Sequence, residues 1–347
     1  MSTPFDAVIL GAAGYGGGEL LRLLMAHPHL ASLQALSRSH AGKPLYAAHP
    51  GLRGFLDQSF LGEMDWQSLA ASPQPVVFSA LAHGELANQL PELEAQWKAA
   101  GIEQRLVLVD LSGDFRIQDP NAFEQAYGRK HPCPERLPDF VYGCPEVHGA
   151  ALRGARRIAN PGCFATALNL ALLPLAGLDI TFVAASGATG SSGSGAHPQA
   201  GTHHPERAQD FRAYKVLNHQ HRAEVDELMA THGLPNLHLA FVPHSAPLVR
   251  GIFATVQAEG NTHLTSRFAD FYRHAPFVRM VEDSPRVAAV LGSNIAELAV
   301  HSDGRSTAIL VALDNLVKGM AGQAIQNLNL ALGLDERAGL WSPGRLP

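Results

Sequence analysis

Cys163 lies in the run Asn160-Pro161-Gly162-Cys163-Phe164-Ala165-Thr166, a tight turn that leads straight into the apolar stretch 167–175. The turn residues followed by a hydrophobic run predict that the thiol sits at or near the N-terminus of a buried helix. Unpaired backbone N–H groups and the positive end of the helix dipole favour a thiolate there, the form in which cysteine is a nucleophile. A buried structural role is the commonest fate of a single cysteine, and the Asn-Pro-Gly turn is what sets this one apart. Cys133, between Pro132 and Pro134, and Cys144, before Pro145, are not expected to open a helix.

A nucleophilic thiol needs a group that gives and takes protons. His219-Gln220-His221-Arg222-Ala223-Glu224 offers two imidazoles and a carboxylate within one or two helical turns. His221 is the first candidate for the acid/base, His219 the second, and Glu224 the residue that would orient the ring. His-x-His is also a ligand spacing, and His203-His204 nearby adds to that alternative, a metal-dependent hydrolase. No third acidic or thiol ligand stands at a persuasive spacing, so no metal site is expected. The remaining alternative is ordinary surface histidines.

The chain opens with the apolar stretch 7–10, then Gly11-Ala12-Ala13-Gly14-Tyr15-Gly16-Gly17-Gly18, then leucines at helical spacing. Gly11-x-x-Gly14-x-x-Gly17 between strand and helix is a dinucleotide turn: glycine lets the backbone approach a pyrophosphate, which the helix N-terminus stabilises. Ala13, Tyr15 and Gly16 belong to the same predicted site. At the end of the second predicted strand, Ser37-Arg38-Ser39 supplies a cation and hydroxyls suited to a 2′-phosphate, where an acidic residue would suit NAD; NADP is the cofactor expected. A glycine-rich turn without ligand and a solvated arginine are the plain alternatives. Thiol and dinucleotide turn together predict a dehydrogenase working through a covalent thioester, against a noncatalytic NADP sensor in which the thiol is idle.

Asp110-Leu111-Ser112-Gly113-Asp114-Phe115-Arg116 follows another predicted strand, at the carboxyl edge where open α/β sheets bind ligands. Ser112 and Arg116 are substrate candidates, with Arg207 and Arg250 as further partners for anionic groups. Each arginine alone is more often a surface salt bridge.

The elements that must position these groups alternate at first. Strands are predicted at 7–10, 33–37, 76–80 and 106–111, with helices after the first and across 85–100, the signature of a doubly wound parallel α/β sheet. Beyond Cys163 the pattern becomes strand-rich, at 180–186, 237–243, 251–258, 287–290, 295–300 and 306–313, predicting an α+β domain with a mostly antiparallel or mixed sheet. A long Gly/Ser/Ala/His/Pro loop is expected at 187–205 and a helix at 318–332. The expected domains are 1–160 for the nucleotide, completed by 315–347, and 161–314 for catalysis and oligomerisation.

With 347 residues, 46% hydrophobic and 16% charged, the chain can bury a sizeable core. A net charge of −5 without a basic block argues against nucleic acid. No apolar run approaches the roughly 20 residues that span a bilayer, and residues 1–6 do not read as a signal peptide, so a cytoplasmic protein without membrane contact is expected. The three cysteines cannot all pair and are read as free thiols.

In this order, the glycine turn, the Asp110 to Arg116 run, Tyr142-Gly143-x-Pro145-Glu146, the Cys163 turn, the His219 to Glu224 box and Asp314-Asn315-Leu316-Val317-Lys318-Gly319 resemble the N-acetyl-γ-glutamyl-phosphate reductase family, relatives of aspartate-semialdehyde dehydrogenase. The resemblance implies an NADP-binding Rossmann domain, a homo-oligomer, commonly a tetramer, and reduction of a small-molecule acyl phosphate to an aldehyde with release of phosphate. It places Asn315 near the nicotinamide. His203-His204-Pro205-Glu206-Arg207 and His49-Pro50-Gly51-Leu52-Arg53-Gly54 resemble the branch that reduces 2-aminoadipyl phosphate on a small acidic carrier protein. Such a carrier would need a basic docking surface, to which Arg53, Arg207 and Arg212 could contribute.

Overall fold

In the computed structural model, which describes residues 3–259 and 264–345, β1 (Phe5–Leu10) leads through the glycine turn into α1 (Tyr15–Leu24). Parts of the expected terminal segments, residues 1–2 and 346–347, lie outside the described residues. β2 (Leu30–Leu36), β3 (Pro75–Ser79), α2 (Glu85–Ala99), β4 (Val107–Asp110), α3 (Pro120–Tyr127), β5 (Val141–Tyr142), α4 (Pro145–Leu152) and β6 (Arg157–Ala159) follow. Then come α5 (Cys163–Leu172), β7 (Phe182–Thr189), the single-turn α6 (His204–Arg207), β8 (Arg212–Ala213), α7 (His221–Thr231), β9 (His238–Ser245) and β10 (Ile252–Glu259). After these stand α8 (Leu264–Phe271), β11 (Val278–Met280), α9 (Val287–Val290), β12 (Ala296–Ser302), β13 (Ser306–Leu313) and α10 (Gly322–Ala331). Two units result: Met1–Pro120 with Lys130–Pro161 and Met320–Trp341, and Asn121–Arg129 with Gly162–Gly319 and Ser342–Pro347.

The first unit is built on a parallel sheet of order β2-β1-β3-β4-β6-β5. The chain runs outward from β1 to β2 on one side and to β3 on the other, so the strand order reverses beside β1, the place where open α/β sheets form a crevice. Its central strands β3 and β4 are buried along their whole length, as expected of strands covered on both faces. Val8, Val77 and Leu108 pack with Leu86, Leu90 and Trp97 of α2 and with Phe115. Each such side chain contributes about 1.5–3 kcal/mol on burial. α10 lies against α4 and α1, and its buried Gln323 and Asn327 amides both donate to the Gly143 carbonyl, at 2.9 and 3.0 Å.

The second unit carries a mixed sheet of order β11-β12-β13-β10-β7-β9-β8, antiparallel through its centre and parallel at β7/β9 and β11/β12. α5 crosses β10 and β13, is flanked by α7, and is buried from Phe164 to Leu172. The α/β plus α+β reading of the sequence is borne out, with three corrections. Residues 287–290, expected as a strand, form α9, since a short apolar run does not reveal its period. The expected loop from 187 is strand through Thr189: a Cβ on Gly187 would stand 2.5 Å from the Phe164 ring, so that glycine serves helix–sheet packing. The C-terminal helix begins with a π turn, Val317–Ala321, ahead of α10.

Candidate active site

Cys163 is the first residue of α5, half-buried, with Gly162 as N-cap and no side chain capping the helix. The first turn therefore keeps backbone N–H groups without helical acceptors beside the sulfur. Gly319, in the π turn, lies against the thiol: a Cβ there would stand 2.8 Å from the Cys163 Cβ. π turns of this kind recur at functional sites. Contrary to expectation, Cys144 caps a helix, α4, and Cys133 caps a 3-10 helix, Pro134–Asp139, because proline is favoured at a first helical position. Cys144 and Cys133 are both buried, and burial pushes the Cys133 thiol up to about 11.

The box folds as its spacing predicts, with α7 starting at His221. The His221 ring rests on the Cys163 turn, where a Cβ on Gly162 would stand 2.5 Å from Nε2. Glu224, buried, uses one carboxylate oxygen to accept the Gly162 N–H at 3.0 Å, and the other lies 4.0 Å from His221 Nε2. This carboxylate therefore fixes the turn directly and acts on the imidazole as a nearby charge. His219 precedes the helix, its Nδ1 accepting the His221 backbone N–H at 3.2 Å and its ring 4.6 Å from that of His221. Burial, assisted by Lys215, pushes His219 down to about 4, so it is neutral at physiological pH.

Sequence reasoning missed Tyr214. Its ring meets that of His219 at 5.8 Å, and burial followed by the Cys163 thiolate raises its hydroxyl well above the usual range, against the pull of the Arg207 guanidinium. Tyr214 thus keeps its hydroxyl proton, within electrostatic reach of Cys163. It is set by an irregular segment in which Lys215 and Leu217 hold left-handed φ of 43° and 58°. Such non-glycine conformations cost about 1–3 kcal/mol each and cluster at functional sites. Nothing in the local sequence announces this. Arg207 is buried, donating to Ser245 Oγ and to the Thr189 carbonyl. Arg250 is committed to Asp314, at 3.0 Å. Asn315 is fully enclosed: Oδ1 accepts the Gly251 N–H at 2.7 Å and Nδ2 donates to Ser192 Oγ at 3.0 Å. Among the described residues no group of three or more His, Cys, Asp or Glu side chains is arranged to hold a metal ion.

In the first unit the glycine turn follows β1 at the strand-order reversal. Gly11 has φ +75°, and a Cβ there would strike the Ala80 carbonyl at 2.6 Å; a Cβ on Gly17 would strike the Ala12 backbone at 2.5 Å and one on Gly16 the Met320 sulfur at 2.7 Å. Gly14 caps α1 without a side-chain bond, and the first turn, from Tyr15, holds no acid. Open N–H groups on a bare backbone, including Ala13, fit a pyrophosphate. At the end of β2, Ser37 and Ser39 hydroxyls lie 3.3 Å apart, Ser39 Oγ is 3.0 Å from His40 Nδ1, and Arg38 is exposed with one contact to Gln89 at 3.4 Å. This donor-rich corner fits a phosphate.

The Asp110 to Arg116 run folds inward. Ser112 Oγ donates to Asp110 at 2.7 Å, and Asp114 accepts N–H groups from Gly84 and Ala87 at the start of α2, at 2.5 and 3.1 Å. Burial and the neighbouring Asp114 carboxylate push Asp110 up to about 7. Arg116, also buried, donates to the carbonyls of Asn160 and Leu111 at 2.7 and 2.8 Å, and so braces the chain just ahead of the Cys163 turn.

The chain matches the model of the semialdehyde dehydrogenase NAD-binding domain over residues 6–155 and that of the semialdehyde dehydrogenase dimerisation domain over 163–315. It is 39% identical to the N-acetyl-γ-glutamyl-phosphate reductase of Methanothrix thermoacetophila, covering 99% of both chains. The chain belongs to the N-acetyl-γ-glutamyl-phosphate reductase family. The family includes a close relative of another name: the LysW-L-2-aminoadipate 6-phosphate reductase of Deinococcus radiodurans is 40% identical, with 100% of both chains covered. Among solved structures, aspartate semialdehyde dehydrogenase II of Vibrio cholerae has the same fold, with a TM-score of 0.67 at 18% identity over 95% of this chain and 98% of that one. The family is thus one of phosphorylating semialdehyde dehydrogenase-type oxidoreductases with a nicotinamide-dinucleotide domain. Among the described residues no helix is long and apolar enough to cross a membrane.

Proposed function

We propose that the protein reduces an acyl phosphate to a semialdehyde through a thioester on Cys163, with NADPH as reductant. The observation that supports this most directly is the assembly, in one unit, of a half-buried thiol opening α5, an imidazole resting on the turn before it, and a carboxylate that accepts the Gly162 N–H of that turn and lies 4.0 Å from the imidazole. The thiolate adds to the acyl carbon, the C–S bond forms, and the C–O bond to phosphate breaks with its electron pair leaving on phosphate. Backbone N–H groups at the start of α5 are suited to the carbonyl oxygen as charge develops on it. NADPH, held by the glycine turn, would supply the hydride that reduces the neutral thioester on Cys163. His221 donates the proton that oxygen requires and takes it back as the aldehyde leaves and the thiolate reforms. His219, neutral and already accepting a backbone N–H, is assigned to holding His221, and Tyr214 to keeping a neutral hydroxyl within electrostatic reach of Cys163.

Gly11, Ala13, Gly14, Tyr15, Gly16 and Gly17 would hold the pyrophosphate, and Ser37 and Arg38 the 2′-phosphate that distinguishes NADP. Asn315 is proposed for the nicotinamide side, and Arg207, Arg116 and Ser112 for anionic parts of the substrate, Arg207 being the one with a buried Nε that has no partner. The substrate proposed is N-acetylglutamyl 5-phosphate, an intermediate of arginine synthesis, in keeping with the Methanothrix relative. Carrier-linked 2-aminoadipyl phosphate, of lysine synthesis, is the second reading, favoured by the Deinococcus relative and by the His203 to Arg207 segment. A cytoplasmic homo-oligomer, a tetramer, is proposed. The face of the second sheet that carries Phe182, Ser186 and Gln257 is open in the single chain, and a second copy would cover it.

The test is Cys163→Ser, assayed in the oxidative direction with phosphate, NADP and either N-acetylglutamate semialdehyde or carrier-bound aminoadipate semialdehyde. Turnover should vanish while NADPH affinity stays near that of the parent; activity close to the parent's would refute the thioester. Whichever aldehyde the parent oxidises decides the substrate.

A further inference from the structure

His49 lies outside the groups assigned to catalysis and to the nucleotide, yet it touches the glycine turn at two points. Its Nε2 lies 2.8 Å from the Ala12 carbonyl oxygen, and its ring fills the space beside Gly18, where a Cβ would stand 2.6 Å from Nδ1 and Cε1. Gly18 is inside α1, where glycine is destabilising relative to alanine, and the Gly11-x-x-Gly14-x-x-Gly17 pattern does not require it. What it admits is the imidazole. The ring is held from its own side as well. His49 stands between two single-turn 3-10 helices, Leu45–Ala47 and Pro50–Leu52; its N–H donates to the Leu45 carbonyl at 3.0 Å and its carbonyl accepts the Leu52 N–H at 2.9 Å. Its ring meets the buried Phe60 edge to face at 6.2 Å. Burial keeps the imidazole below the usual histidine range, against the pull of the Ala12 hydrogen bond, so at neutral pH it carries one proton. A carbonyl oxygen only accepts, which puts that proton on Nε2.

Ala12 is thereby fixed at both of its polar groups by β2 and the chain that follows it. Its N–H donates to the Leu36 carbonyl, at the end of β2, at 2.8 Å, and its carbonyl accepts from His49. Gly17 packs on the same residue so closely that a Cβ would stand 2.5 Å from that carbonyl oxygen. In a planar trans peptide the C=O and N–H point in opposite directions. Holding the Ala12 carbonyl toward His49 therefore turns the N–H of the same peptide, that of Ala13, away from it. This N–H has no protein acceptor among the described residues, and Ala13 is half-buried. On the reading of the glycine turn as a pyrophosphate site, we propose that His49 is a positioning residue for the dinucleotide: by holding the Ala12 carbonyl it presents the Ala13 N–H to the pyrophosphate. Without that bond the Ala12–Ala13 peptide loses the contact that selects its orientation.

The full-length parent, His49→Phe, His49→Gln and Gly18→Ala are titrated with NADPH by fluorescence and with 2′-AMP, which lacks the pyrophosphate, by calorimetry. Phenylalanine keeps a ring without the donor, glutamine returns an N–H near the position of Nε2, and alanine at 18 displaces the ring, a clash that a side chain relieves by moving. NADPH affinity should fall about tenfold or more in His49→Phe and in Gly18→Ala and return to within about threefold of the parent's in His49→Gln, with 2′-AMP affinity unchanged throughout. Should His49→Phe fail to fold, Gly18→Ala carries the test. A folded variant without the His49 contact that binds NADPH as the parent does, an equal loss for 2′-AMP, or no recovery in His49→Gln would overturn the proposal and leave His49 a packing residue. Failure of the parent itself to bind NADPH would instead strike the dinucleotide reading of the turn, and this role of His49 with it.

Discussion

Gly162→Ala isolates the imidazole from the thiol. The backbone of Gly162, φ −70° and ψ 152°, is open to alanine, so the substitution introduces no conformational strain. Its Cβ, however, would stand 2.5 Å from His221 Nε2 and 2.6 Å from two ring carbons. Non-bonded carbons rest at about 3.5–4.0 Å, so the ring must retreat by about 1 Å or more. A displacement of that size in a group that moves protons costs about 10²-fold in rate. Overpacking costs about 1–3 kcal/mol, offset by about 0.4–1 kcal/mol from the less flexible unfolded chain, so a folded protein is expected. Turnover followed by nicotinamide absorbance should fall about 10²-fold, while alkylation of Cys163 by iodoacetamide and NADPH binding persist. Gly149→Ala, where a Cβ meets nothing within 4 Å, is the control and should be neutral or slightly stabilising. A folded Gly162→Ala protein turning over within about twofold of its parent would refute the role given to His221.

Arg38→Ala should weaken NADPH by about 10- to 150-fold, the loss of charge-assisted hydrogen bonds of about 1.5–3 kcal/mol, with NADH little changed; fluorescence titration of both nucleotides reads this, and an equal loss for both would remove the 2′-phosphate assignment. His219 gives a pH signature in stability. Its folded pKa, about 4, lies below the model value of 6.5, so below pH 6.5 the unfolded chain binds the extra proton and stability falls until about pH 4. The full difference is on the order of 3 kcal/mol. His219→Asn should flatten the fall of melting temperature with pH across that window, and an unchanged slope would show that other groups cause it.

Some of this was written locally in the chain. The glycine turn, the apolar runs at 76–80 and 106–111 and the Asn-Pro-Gly-Cys turn place β1, β3, β4 and the first residue of α5 because backbone sterics and short-range periodicity decide them. The box at His219 to Glu224 was legible for the same reason, its members being neighbours on one helix start. Tyr214 was not: a left-handed segment that no glycine marks sets it beside His219, and its electrostatic link to Cys163 joins positions 51 residues apart. Nor could sequence reveal that Asp110, Ser112 and Asp114 turn inward on one another, or that Arg116 braces the Asn160 carbonyl. Residue type and spacing determined the chemistry available to this protein. Only the tertiary structure decided which groups are desolvated, which hydrogen bonds are already spent, and which rings touch, since burial and long-range contact depend on how distant segments pack and leave no local trace in the chain.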